Sequence, residues 1–126
     1  MRNKDEYIIC RQISIWLRIQ YPEILFHFDY AGLNHSKAQA GMMKAIQGER
    51  GFPDLCIFEP RGNFHGLFVE IKKDGEKLFN KKGKYRTPHL TTQADMIKRL
   101  IKKGYYSEFG IGFSNCKDII ENYLKL

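Results

Sequence analysis

Apolar and polar positions alternate along this chain with two different periods, and the switches between them outline eight elements. Ile9, Ile13, Trp16 and Leu17 recur at helical spacing, which predicts an amphipathic helix from about Lys4 to Gln20, ended by Tyr21-Pro22. Ile24 to Phe28 is a short run, nearly continuous in apolar residues, and reads as a strand at the centre of a sheet. After a Gly32-Leu33-Asn34 loop, Ser36 and Gln39 have the spacing of a capping box, and a helix follows to about Gln47. Two strand-like runs come next, Gly51 to Phe58 and Gly66 to Lys73, with turn chemistry between them at Pro60-Arg61-Gly62-Asn63. Thr91 or Thr92 caps a further helix on which Gln93, Met96, Ile97 and Leu100 share one stripe, and Lys102-Lys103-Gly104 stops it. Phe109 to Phe113 is a strand whose glycines permit close packing against a helix. Asn115 then caps a closing helix with Ile119, Ile120, Tyr123 and Leu124 on its apolar face. The order predicts an α/β protein with a mixed central sheet flanked by helices.

The hairpin of the two middle runs is where the pattern meets chemistry. If the chain folds back about Gly62, paired positions have numbers that sum to about 124, and Asp54 comes to lie opposite Glu70. Side chains alternate along a strand, so Glu70 and Lys72 project to one face while Val69 and Ile71 face the other way. Two carboxylates and a lysine on one face are costly unless neutralised. A hard divalent cation such as Mg²⁺ does this with one or two carboxylates and waters, and it lowers the pKa of a bound water. The plainer alternative is a salt bridge from Lys72 to Glu70 or Asp54. Glu6 shares the inward stripe of the first helix, where it either stabilises the helix start through the dipole or reaches the site. Asp5 competes for that role. Gln93 faces the core side, and its amide can bond a metal-bound water, a phosphate or a backbone group.

The 126 residues, 43% hydrophobic and 13% aromatic, suffice for one core and predict one domain spanning 1–126. No apolar run approaches membrane-spanning length and no signal-type segment follows Met1, so a cytoplasmic protein with no membrane partner is expected. Cys10, Cys56 and Cys116 are isolated and read as free thiols, and the four histidines lack zinc-ligand spacing. A formal net charge of +7 points to a polyanionic partner, nucleic acid being the commonest. Seven of the 21 Lys and Arg fall between Lys72 and Arg86, namely Lys72, Lys73, Lys77, Lys81, Lys82, Lys84 and Arg86. Phe79 and Tyr85 interleave with them, a pattern suited to holding phosphates by charge while offering a ring to a base, although a solvated loop has the same composition. Lys37 and Lys44 form a second basic face, with the same alternative.

Gly51-x-Pro53-Asp54, followed by Glu70-Ile71-Lys72 and then Gln93, resembles the PD-(D/E)XK nuclease superfamily, and within it the VRR-NUC branch of stand-alone viral and bacterial type. The resemblance covers most of the chain, from the first-helix Glu to the later Gln. It implies an αβββαβ restriction-endonuclease-like core, here with an extra helix between the first two strands and a C-terminal helix. It further implies a Mg²⁺- or Mn²⁺-dependent endodeoxyribonuclease. Asp54 and Glu70 would be metal ligands, the Ile71 carbonyl and Glu6 further ligands, Lys72 would stand beside the nucleophilic water, and Gln93 would have a catalytic role. The resemblance also implies a homodimer acting on branched DNA in the manner of a junction resolvase, encoded by a phage or other virus. The rival is a nucleic-acid-binding module of the same fold without catalysis.

Overall fold

The computed structural model describes residues 4–29 and 36–126; the expected Gly32-Leu33-Asn34 loop and His35 lie outside them. Helix α1 (Lys4–Gln20) spans the expected range, with Ile9, Cys10, Ile13 and Leu17 buried on one stripe. Strand β1 (Phe26–Phe28) leads to α2 (Lys37–Ile46), whose Ser36 and Gln39 form the full capping box. Strands β2 (Leu55–Ile57) and β3 (Leu67–Lys72) make the hairpin, α3 (Pro88–Lys102) crosses over, and β4 (Tyr106–Ile111) and α4 (Gly112–Leu124) close the chain. The sheet order is β1-β2-β3-β4, antiparallel except for the parallel β3–β4 pair that the crossover produces. This is the expected mixed α/β architecture, with the extra helix between the first two strands.

Period-two alternation divides the sheet into two unlike faces. Leu55, Ile57, Leu67, Val69 and Ile71 are fully buried and meet α1 and α4, forming the main core with Ile13, Leu17, Cys116 and Ile120. Removal of each such side chain from water is worth about 1.5–3 kcal/mol, so this face supplies most of the fold's cohesion. The opposite face carries Asp54, Glu70 and Lys72, and α3 packs on it at β4. Gly110 permits the close approach of α4: a Cβ there would stand 2.5 Å from Cys116 Sγ and 2.9 Å from Val69 Cγ1.

Three expectations need correction. Strand β1 is an edge and not a central strand, and His27 and Leu25 are exposed. Its apolar run arises because Phe26 and Phe28 pack on the core while Leu25 does not. Helix α3 begins one turn early, capped by Thr87 with Pro88 in the first turn, a position where the missing proline N–H costs nothing. Thr91 and Thr92 instead turn their hydroxyls back to the carbonyls of Thr87 and Pro88. Strand β4 lies three residues before the predicted start, and α4 begins at Gly112. Asn115 serves that helix start from within, its Oδ1 accepting from the Ile111 N–H at 2.8 Å.

Candidate active site

The β2–β3 register is Leu55 with Val69, Cys56 with Phe68 and Ile57 with Leu67, so paired numbers sum to 124 as the turn chemistry predicts. Gly62 takes up the reversal with a positive φ of 55°, a conformation that a Cβ disfavours. Asp54 sits one residue beyond the end of β2, in line with Glu70. Where the backbone ladder runs out, at Pro53, the Asp54 carboxylate continues it: Oδ2 accepts from the Ile71 N–H at 2.8 Å. An extended residue turns its N–H and C=O to the same lateral edge, so the Ile71 carbonyl is directed toward the Asp54 side as well.

Burial singles out the same residues. Asp54, Glu70, Lys72 and Gln93 are 8%, 3%, 7% and 7% exposed, and with Ser107 they are the buried polar side chains among the described residues. Charged groups are rarely this buried without a reason of chemistry or pairing. The ion pairs within the described residues are Arg61–Glu59, Arg86–Glu76 and Arg99–Glu49; Lys72 belongs to none of them. Gln93 lies in the second turn of α3, and its Oε1 meets no hydrogen-bond donor among the described residues.

The segment before Asp54 is held against α3. Gly51 has φ 88°, and a Cβ on it would meet the Thr92 carbonyl oxygen at 3.1 Å, so only glycine lets the chain pass this closely beside Gln93. Arg99 and Glu49 pair across the same junction. These interactions bring the Pro53-Asp54 end of β2 to the α3 turn that carries Gln93.

Register also brings in a residue that the sequence pattern did not mark. Continuing the β1–β2 pairing one step beyond Phe28 and Leu55 sets Asp29 beside Asp54, and the Asp29 N–H donates to the Asp54 carbonyl at 2.8 Å. Asp29, Asp54 and Glu70 thus form one row across three strands, a row visible only once β1 is known to pair with β2. Glu6 is half-buried near the start of α1, and Asp5 is exposed. No three His, Cys, Asp or Glu side chains among the described residues are placed to hold a metal ion together.

The lysine-rich stretch is a built hairpin. Phe79 and Tyr85 bridge it with rings 4.7 Å apart, and Asn80 Oδ1 accepts from the N–H groups of Lys82 and Lys84. Arg86 directs its guanidinium to Glu76 at 2.5 Å and to the Lys77 carbonyl at 2.8 Å, and Tyr85 is half-buried between Phe79 and Phe109. Both serve the hairpin's own structure, whereas Lys77, Lys81, Lys82 and Lys84 stand exposed around it and Lys73 is partly covered. Lys37 and Lys44 are exposed on α2, a helix with no buried residue.

Burial pushes the Cys56 thiol up to about 11. Cys116 goes to about 12, from burial first and then from Cys10 and nearby carboxylates including Asp54. No helix among the described residues is long and apolar enough to cross a membrane.

No protein-family model matches the chain, and no curated protein matches it. Among solved structures it is similar to one described as "VRR_NUC domain protein", with 29% sequence identity and a TM-score of 0.69, over 100% of this chain and 93% of that one. The likeness extends over the whole chain and supports a VRR-NUC type of domain.

Proposed function

We propose that the protein is a metal-dependent endodeoxyribonuclease. The observation that carries this reading is the register that sets Asp54 beside Glu70, both buried, at the end of a strand that also presents Lys72. The donor set suits Mg²⁺ or Mn²⁺, which accept two carboxylates, a backbone carbonyl and waters, better than zinc, which wants three or four N, S or O ligands from the protein. Asp54 and Glu70 would hold the ion, with the Ile71 carbonyl on the same edge and waters completing the shell. When bound, the metal supplies Lewis-acid polarisation of a phosphoryl oxygen and a water of lowered pKa. The chain's own residues do the rest. Lys72 holds a compact positive charge where the attacked phosphate gains negative charge, and burial strengthens that interaction. The Gln93 Oε1 accepts a hydrogen bond from a water and so fixes its direction of attack. The exposed lysines of the 73–86 hairpin, with Lys37 and Lys44, draw the DNA backbone in without reading bases.

The substrate in this reading is branched DNA and the active species a homodimer, because one chain offers one cutting site while a branched junction needs two symmetric cuts. The setting in this reading is intracellular, with a phage or other virus as the source. The test is cleavage of supercoiled plasmid and of a synthetic four-way junction with Mg²⁺, Mn²⁺ or EDTA. Metal-dependent nicking, faster on the junction, is expected. Binding without cleavage in either metal would replace this reading with that of a catalytically silent module.

A further inference from the structure

Beside the carboxylate row, on the part of the sheet face that α3 leaves open, lies a cleft of about 370 Å³ lined by Phe52, Pro53, Asp54, Cys56, Phe58 and Phe68. Its position follows from the register: the row of His27, Cys56 and Phe68 is two residues along the strands from the row of Asp29, Asp54 and Glu70, about 7 Å at ordinary strand rise. Phe52 and Phe58 are 43% and 56% exposed, two large rings held open to solvent at the site's edge. We propose that this cleft receives an unpaired nucleobase from the nucleotide flanking the phosphate held at Asp54 and Glu70, stacked against the exposed phenylalanine rings. The proposal rests on the nuclease reading and deepens it by naming what the site selects.

The wall chemistry chooses the base over the rest of the nucleotide. Among the described residues no Lys or Arg lines the cleft, so its walls offer a phosphate no cation. The walls are mostly carbon, supplied by Phe52, Pro53, Phe58 and Phe68. Gln47 and His27 also line the cleft and give it polar edges beside the rings. The volume lies at the small end of the range for ligand clefts, about 300–1,000 Å³, which fits one flat ring system and not an extended chain. The strongly basic balance of the molecule makes a polyanionic strand the occupant expected at its aromatic surfaces. A base inside a duplex cannot reach such a cleft without unstacking, so the site favours DNA already unpaired next to the cut, as at a branch or flap.

The test places 2-aminopurine in turn at each unpaired position of a flapped duplex and of a four-way junction, bound to the full chain in Ca²⁺. Fluorescence and anisotropy are then compared for wild type, Phe58→Ala, Phe58→Leu and Phe58→Tyr. Phe58 is mostly exposed, so these variants should keep the fold, which circular dichroism checks. Quenching at one position, together with a fivefold to hundredfold preference for unpaired DNA over paired duplex, is expected, the range that one base on one ring supplies. Alanine and leucine should lose that preference while tyrosine keeps it. Equal binding of paired and unpaired DNA, or a preference unchanged in Phe58→Ala, overturns the proposal even if the protein cuts DNA. A shift of Phe58→Ala from dimer to monomer with unchanged DNA preference also overturns it, by assigning the cleft to a second copy. If the expected quenching appears in a protein that never cleaves, the base site stands and the nuclease reading fails.

Discussion

A lysine only 7% exposed, on the strand face that also holds two buried carboxylates, gives Lys72 its expected role and a way to check it. Lys72→Ala should lower the single-turnover cleavage rate by about 10²–10³, the scale of one missing transition-state interaction, and change Mn²⁺ affinity much less. Arginine should rescue poorly because its planar fork does not replace a compact charge. Mn²⁺ titration calorimetry beside single-turnover kinetics decides it, and equal losses in both would contradict the role. The thiols give a pH expectation. Cys116 is raised to about 12 and Cys56 to about 11 from the ordinary thiol value of 9.0, so both stay protonated in the folded chain when unfolded thiols ionise. Stability should be level with pH up to about 9 and fall above it, toward 11 and 12, with Cys116→Ala showing a shallower fall. Urea midpoints between pH 7 and 11 measure this. At this scale the sequence was readable where spacing decides: period two and a glycine turn set Asp54 against Glu70. It was unreadable where distant strands decide, as for Asp29, and where a polar group finds an unforeseen partner, as Arg86 finds Glu76.

The 73–86 hairpin is the element where structure departs most from composition, because its ladder and its ring pair fix a stretch that composition alone reads as solvated loop. Four lysines held outward on a fixed frame should meet phosphates in a defined set. Changing Lys77, Lys81, Lys82 and Lys84 together to Ser should flatten the log–log salt dependence of DNA binding by about 0.9 for each phosphate no longer neutralised, for all sequences alike. Anisotropy in Ca²⁺ over a salt series checks it, and an unchanged slope would move the DNA-holding surface to Lys37 and Lys44 on α2. The segment entering Asp54 gives a second expectation. Gly51→Ala forces a Cβ into a left-handed conformation 3.1 Å from the Thr92 carbonyl, which should cost about 1–3 kcal/mol and displace Asp54 from Gln93. Helix boundaries were legible where a cap is chemically explicit, as at Ser36. They slipped at α3, where three threonines compete and only the backbone shows that Thr87, before a proline, takes the cap.

For the molecule as a whole, the sheet's two faces divide the labour: one is sealed by α1 and α4, and the other is partly open and carries the charge. The sealed face was legible from its apolar periodicity, whereas the cleft at Phe52 and Phe58 was not, because what leaves it open is how far α3 reaches across the sheet. If the active species is a homodimer, light scattering gives roughly twice the 14.8 kDa chain mass. Whether Asp54 and Glu70 act together as the metal-dependent cutting centre, on which the other roles depend, is decided by Asp54→Asn and Glu70→Gln. Asparagine keeps an oxygen to accept from the Ile71 N–H, so the first change removes charge and spares the ladder. Single-turnover cleavage of a four-way junction in Mn²⁺, beside binding of the same junction in Ca²⁺, is the measurement. Both variants should lose cleavage with binding nearly unchanged; a folded variant that cuts at the wild-type rate would contradict the assignment.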